Sequence, residues 1–389
     1  MDNLSLIMRH IATSSTPLSR AAIASMTGLT RATSSRLVDE LIGAGVIEEF
    51  GESKPRVGRP AVMLRIKGGR NTILGLEVNL AYLAVYLLDL DGSVHVSRVI
   101  EHDSRDSDPA ETFATLSKLI GEALASSPAT PLQTILCIPG LVSEDHQGIV
   151  TAPNLGWHDV RPSHYLSFPG FDAGRLTVLN EADASSYSVL FSAPGRKSGI
   201  ENFVYISAEV GVGAALVFDG EVFEGQRKWA GEIGHMTVDR NGPTCRCGSN
   251  GCLEQYAGFD SILRNAGLGS HVTLPELITL FDEGDPNVRK AVDACAMALG
   301  TSIANVLNLL DVGVVVLGGN LVSLHSRMQV ILEAELHYRA LAQRWDMTSI
   351  RTSEYGKFAA SRGACLAGFE HFLRNLDKWN SWGIPVQFQ

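Results

Sequence analysis

Apolar positions recur every three to four residues at Leu4, Ile7, Met8 and Ile11, the spacing of one buried helix face. Ser14-Ser15-Thr16-Pro17 ends that pattern. Ser19 then precedes a short helix through Ala22, Ile23 and Met26. Thr27-Gly28-Leu29 makes a tight turn, and Thr30 is placed to cap a third helix. That helix is expected to bury Leu37, Val38 and Leu41 and to expose Arg31, Thr33, Ser34 and Arg36. Gly43-Ala44-Gly45 stops it. Two strands follow, 46–50 and 61–66, separated by a Gly-, Pro- and base-rich connection from Gly51 to Pro60.

Past Gly68-Gly69-Arg70-Asn71, which reads as a linker, the period changes. Apolar runs at 73–78 and 82–90, an Asp91-Gly92 turn and a third run at 94–100 predict a meander of strands. A helix is expected over 113–124, a strand over 134–138 ending at Pro139-Gly140, and another at Val178-Leu179 ending at Asn180-Glu181. The meander recurs: strands at 203–207 and 211–218, an Asp219-Gly220 turn and a return strand at 221–223. A long helix over 288–310 and a strand over 312–317 ending in Gly318-Gly319 follow. A hairpin meander that twice precedes helices and parallel-type strands implies a duplicated α/β fold of two lobes with a cleft between them. Ligands in such sheets sit beyond the carboxyl ends of the strands, where Asn180, Glu181, Glu209 and Gly318-Gly319 fall. The expected organisation is a first domain over 1–70 and a body over 71–389. One lobe of the body takes about 71–190 plus the C-terminal helix, and the other about 191–365.

The 389 residues, 45% of them apolar, are enough for cores of this size. No apolar run reads as a membrane span and the N-terminus has no secretory signal pattern, so a cytoplasmic protein without membrane contact is expected. The six cysteines are three in a cluster and three scattered, the pattern of a reducing compartment with one metal site. Net charge is −10, yet residues 1–70 hold ten Lys and Arg against six acids. A basic head on an acidic body points to nucleic acid at the head alone.

Two short helices joined by a Gly-containing turn and followed by a two-stranded wing form a winged helix-turn-helix pattern. Its second helix enters the major groove by its N-terminal half, here Thr30, Arg31, Thr33, Ser34 and Arg36. Gly58-Arg59-Pro60 presents Arg59 to a narrow minor groove. A packing domain with merely solvated basic residues is the alternative. Turn, charge sign and wing chemistry together favour DNA.

Glu232-Ile233-Gly234-His235 and Cys245-Arg246-Cys247-Gly248-Ser249-Asn250-Gly251-Cys252-Leu253-Glu254 carry the densest chemistry. One imidazole and three thiolates can wrap a tetrahedral ion, and this donor set suits Zn²⁺. Glu232 and Glu254 bracket the cluster, which suggests a polar small-molecule site.

The many-position signature from Glu232 to Glu254 resembles that of the ROK family of repressors and sugar kinases, and the resemblance spans essentially the whole chain. It implies an actin-like ATPase (ribonuclease H-like) fold and one structural zinc held by His235, Cys245, Cys247 and Cys252. It further implies sugar contacts from Asn154, Asn180, Glu232, His235 and Glu254, with Glu181 as another hydroxyl acceptor. Trp157 can line an edge of the sugar or simply pack in the core. The N-terminal winged helix resembles that of the family's regulators, since its kinases usually lack one.

The kinases' first phosphate loop, Asp-x-Gly-Gly-Thr, corresponds to Glu77-Val78-Asn79-Leu80-Ala81, without the glycines that let ATP phosphates approach. Their second, Gly-Thr-Gly, corresponds to Glu209-Val210-Gly211, with a carboxylate where a polyanion would bind. Their catalytic Asp corresponds to Glu181 in Asn180-Glu181-Ala182-Asp183. The reading is therefore a non-enzymatic, sugar-responsive repressor of carbohydrate genes. It is expected to bind operator DNA as a homodimer or homotetramer and to be released by sugar in the cleft. The alternatives are an ATP-dependent sugar kinase with an appended DNA-binding domain, and a regulator controlled by a protein partner.

Overall fold

The computed structural model describes residues 3–52, 62–127, 129–344 and 347–376. Helix α1 (Asn3–Thr13) buries Ile7, Met8 and Ile11, as the spacing predicts. Strand β1 (Leu18–Ser19) leads into α2 (Arg20–Thr27), whose first turn is capped by Ser19 Oγ accepting from Ala22 N at 3.2 Å. Thr30 Oγ1 accepts from Thr33 N at 3.2 Å and starts α3 (Arg31–Gly43). Strands β2 (Ile47–Glu52) and β3 (Val62–Ile66) pair antiparallel, and β1 adds to the outer edge of β3.

Helix α3 buries Leu37, Val38 and Leu41, but also Ser34, which is 0% exposed. Ser34 was expected on the polar side. Positions 34, 37, 38 and 41 share one helical face, so the period that buries the three apolar residues buries Ser34 too. The expected wing contact Arg59 lies outside the described residues.

In the first lobe, β4 (Asn71–Val78), β5 (Tyr82–Asp89) and β6 (Val94–Glu101) form an antiparallel meander. Helix α4 (Pro109–Ala125) crosses to β7 (Thr130–Ile138), which runs parallel to β4. A small flap of β8 (Leu141–Val142), β9 (Ile149–Ala152) and β10 (Trp157–Val160) precedes β11 (Leu176–Asn180), parallel to β7. Helix α5 (Glu181–Leu190) and the hairpin β12 (Phe191–Ala193) and β13 (Arg196–Lys197) lead into the second lobe.

That lobe repeats the plan. Strands β14 (Phe203–Ala208), β15 (Val212–Phe218) and β16 (Glu221–Val222) form the second meander. Helices α6 (Glu254–Ala257), α7 (Phe259–Asn265), α8 (Leu274–Glu283) and α9 (Pro286–Leu310) precede β17 (Val314–Gly319), parallel to β14. Helix α10 (Leu321–Arg339) crosses to β18 (Ser349–Thr352), and α11 (Ala359–Arg374) closes the described chain. The sheet orders β11-β7-β4-β5-β6 and β18-β17-β14-β15-β16 match strand for strand.

By length and composition alone α9 is long and apolar enough to cross a membrane, which the reading of apolar runs missed. In the fold it is a core helix: Val288, Val292, Leu299 and Ile303 are buried in the second lobe's core.

Helix α11 returns to the first lobe, packing on β4, β7 and α5. Its C-terminal half also meets α1: Arg9 Nη2 donates to Glu370 Oε2 at 3.0 Å. Ile7 and Met8 share one apolar core with Ile73, Phe369 and Leu373. The linker is tied down as well. Gly69 N donates to Asp89 Oδ2 at 2.8 Å and Asn71 Nδ2 to Gly45 O at 2.9 Å.

Gly363 lets α11 approach α5 so closely that an added Cβ would run into the Ala184 carbonyl. We expect Gly363→Ala to cost about 1–3 kcal/mol, the range for overpacking, read as a lowered urea midpoint. An unchanged midpoint would show that the two helices have slack.

Candidate functional site

The carboxyl ends of β4, β11 and β14 open into one cavity of about 340 Å³ between the lobes. Asn154, Asn180, Glu181, Glu232, His235 and Glu254 all line it, although they come from four separate stretches of the chain. Asn180 ends β11 and caps α5, its Oδ1 accepting from Ala182 N at 2.7 Å and its Nδ2 donating to Gly140 O at 3.0 Å. Much of its hydrogen-bonding capacity therefore fixes the start of α5. Glu254 opens α6, and its Oε2 accepts from Val212 N at 3.3 Å. Glu232 begins the turn that carries His235, and its Oε2 lies 3.9 Å from His235 Nε2.

Carboxylates gather at the inner end. Asn79 Nδ2 donates to Glu181 Oε2 at 3.3 Å, and Tyr82 Oη donates to Glu77 Oε1 at 2.6 Å. Burial, reinforced by the charge of Glu209, pushes Glu181 up to about 8. Burial pushes Glu209 up to about 7 against the opposing pull of Lys357. Glu77 is raised well above the usual carboxylate range by burial and then by Glu181. Its Oε2 has no hydrogen-bond partner. The sequence carried a signal for this buried acid: Glu77 is the one charge in the apolar run 73–78.

Backbone donors around this end are occupied by the chain itself. Asn79 N donates to Tyr82 O at 3.0 Å, Ala81 N to Asn79 Oδ1 at 3.1 Å and Glu209 N to Gly211 O at 2.9 Å. At Gly318, an added Cβ would meet the buried Tyr205 hydroxyl, so a packing reason accounts for that glycine.

His235, Cys245, Cys247 and Cys252 place their ligand atoms within 4.8 Å of one another and can bind a metal ion. Cys247 Sγ lies 3.7 Å from Cys252 Sγ, and Cys245 Sγ 3.7 Å from His235 Nδ1. Two thiolates bound to one tetrahedral ion at about 2.3 Å sit roughly 3.8 Å apart, so the spacing fits a shared ion. Cys245 N donating to Ser249 O at 2.8 Å and a bridge between Thr237 and Cys252 hold the loop. With Nδ1 toward the sulfurs, Nε2 is left facing Glu232.

Trp157 takes the core-packing alternative. It is 1% exposed, its Nε1 donates to Ser107 O at 2.8 Å and its ring packs on Phe113, so it supports the flap from behind and does not line the cavity. Asn79, Glu209 and Arg246 also line the cavity; the sequence reading puts Glu209 at a ligand-facing strand end but names neither Asn79 nor Arg246 as a ligand contact. Arg246, inside the cysteine loop, reaches Asp106 of the other lobe at 3.4 Å. Arg105 and Asp260 pair across the same mouth at 3.5 Å, and Trp229 Nε1 donates to Val142 O at 3.0 Å.

On α3, Arg31 and Arg36 are exposed along with Thr30, Thr33 is half-buried, and Arg36 pairs with Glu40 at 3.5 Å. Arg20 faces inward between Asp39 and Glu49.

A profile of the ROK family matches residues 73–367. The chain belongs to the ROK family. The xylose repressor of Bacillus spizizenii (strain ATCC 23059 / NRRL B-14472 / W23) is 28% identical over 379 residues, covering 95% of this chain and 96% of that one. The DNA-binding transcriptional dual regulator NagC of Escherichia coli (strain K12) is 25% identical over 385 residues, covering 92% of each. A crystal structure of a ROK transcriptional regulator, homolog of the E. coli MLC protein, covers 96% of this chain and 97% of its own at 24% identity, with a TM-score of 0.75. A ROK hexokinase from Thermus thermophilus covers 77% of this chain and 98% of its own at 24% identity, with a TM-score of 0.63. The mixed α/β fold is thus the one ROK regulators and sugar kinases share.

Between its ordinary value and about 8, Glu181 holds more protons folded than unfolded, so stability falls as pH rises through that window. Urea midpoints at pH ~5 and pH ~9 should therefore drop less in Glu181→Gln than in the wild type. Equal drops would contradict the buried, proton-holding carboxyl.

Proposed function

We propose that this chain is a sugar-responsive transcriptional repressor of carbohydrate-metabolism genes. On this reading residues 1–70 are a winged helix-turn-helix domain. Thr30, Arg31, Thr33 and Arg36 meet the operator in the major groove and Arg59 meets it from the wing. The sugar lies in the interlobe cavity, with hydroxyls donating to Glu181, Glu232 and Glu254 and amides at Asn154 and Asn180 completing the set. The observation that carries the reading is the docking of the N-terminal unit, through Arg9 and Glu370, on the helix that also supports α5 and the cleft. A change in lobe spacing is thereby passed to α1 through packed side chains.

No kinase chemistry is assigned. A phosphoryl donor needs bare backbone N–H groups, and those of Asn79, Ala81, Glu209 and Val212 already donate to the chain. The relatives named as xylose repressor and NagC support a regulator. Two half-sites on DNA call for a homodimer or a homotetramer. Exposed Val330 and Tyr338 on α10 supply apolar surface for such contacts. The protein acts in the cytoplasm, where its DNA is.

The test is operator binding of the purified chain, by fluorescence anisotropy at fixed salt, with single sugars and with ATP. We expect one sugar to weaken binding, ATP to leave it unchanged, and Arg31→Ala to weaken binding by about 1–3 kcal/mol without sugar. Binding that no sugar alters would contradict the proposal, and ATP consumption dependent on a sugar would restore the kinase.

Zinc is assigned a structural role, since four protein ligands close its coordination and leave no position for substrate. Elemental analysis should find one zinc per chain, and chelation should lower the melting midpoint. A protein equally stable after complete chelation would contradict it.

A further inference from the structure

The inner end of the cavity carries information about the chemical form of its ligand. Glu181, Glu209, Glu232 and Glu254 all line the wall. Two cations lie near it, and each already has a partner. Arg246 is held by Asp106 at 3.4 Å, and Lys357 lies over the Tyr82 ring at 5.3 Å. His235 directs one ring nitrogen at the Cys245 thiol, 3.7 Å away.

Donors are equally scarce. The start of α5 is a place where anions commonly bind. Here Ala182 N and Asp183 N both donate to Asn180 Oδ1, at 2.7 and 3.4 Å, and Glu181 itself stands in the first turn. In the loop after β14, Val212 N donates to the Glu254 carboxylate at 3.3 Å. After β4, Ala81 N donates to Asn79 Oδ1 at 3.1 Å. Each of these three turns is filled by an acceptor of the chain's own.

We propose that the effector is an unphosphorylated sugar, and that Glu181 and Glu209 make this cleft reject the corresponding phosphate ester. This deepens the sugar-sensor reading and rests on it. A hydroxyl both donates and accepts, and the Glu181–Glu209 pair can meet it in both ways. Burial raises both carboxyls, Glu181 to about 8 and Glu209 to about 7, so each can hold a proton and donate. The terminal oxygens of a phosphate dianion only accept, and beside two buried carboxyls the dianion is tolerated only if both stay protonated. The sugar read by this protein is accordingly the one that a sugar-phosphorylating reaction consumes, and the signal precedes that step.

The experiment is isothermal titration calorimetry on the full-length protein. The probes are D-xylose, D-glucose and N-acetyl-D-glucosamine, each paired with its 5- or 6-phosphate. The expected result is one free sugar that binds at least about tenfold more tightly than its ester. Glu209→Gln and, independently, Glu181→Gln should narrow that ratio, with melting curves confirming that each variant is folded. An ester that binds as tightly as the free sugar, or more tightly, overturns the proposal and leaves the sugar-sensor reading standing. A ratio unchanged in both folded variants overturns the assignment to these two residues. If neither form of any probe binds, the sugar reading fails and this proposal falls with it.

Discussion

Helix α11 is buried along nearly its whole length, from Ala359 to Leu373, and it has to fit three neighbours at once. It packs on the first lobe's sheet and on α5, and near its end it meets α1. A charged residue is drawn into that packing. Arg362 is 9% exposed, stacks 3.9 Å over Tyr355, and donates to Ser188 O at 3.4 Å and Ser192 O at 2.8 Å. Buried guanidinium is tolerable only where such acceptors are fixed, so α11 and α5 hold each other in register. Interiors packed at this density transmit displacement and do not absorb it. Because α5 begins at Asn180 and Glu181, the element that shapes the cleft and the element that seats the N-terminal unit share one support.

The cleft has a consistent chemistry of its own. It offers acceptors in excess, with the backbone donors at its rim turned back on the chain. Such a surface matches a ring of hydroxyls and opposes anions, whether nucleotide or ester. The same burial that serves recognition disfavours ionisation, since Glu77, Glu181 and Glu209 crowd together with the exposed Lys357 nearby. On the proposed reading, a sugar that donates to this group would offset part of that cost and stabilise the liganded protein.

Local periodicity made much of the fold legible. The two meanders, the strand ends and the caps at Ser19 and Thr30 follow from apolar spacing and turn chemistry. The cysteine cluster was legible because its ligands lie close along the chain, and the structure gathers them within 4.8 Å. Spacing decided less where one residue type supports two environments. Ser34 is polar yet shares the inner face of α3, and Trp157 serves the core behind the flap. Contacts between distant segments left no mark in spacing. Arg9 with Glu370 and Arg246 with Asp106 depend on how the N-terminal unit and the two lobes meet. Glu77 lay between these cases: a lone acid in an apolar run signals burial, but only the fold shows that Glu181 and Glu209 join it.

The central claim is an energetic coupling between cleft and operator, and coupling between two binding equilibria must be reciprocal. The most direct measurement is therefore the sugar's dissociation constant on the free protein and on the protein saturated with operator DNA, at one salt concentration. The account predicts that operator DNA weakens sugar binding by the same factor by which saturating sugar weakens operator binding. Sugar that binds equally well with and without operator would contradict it, because the cleft and the DNA-binding unit would then be independent.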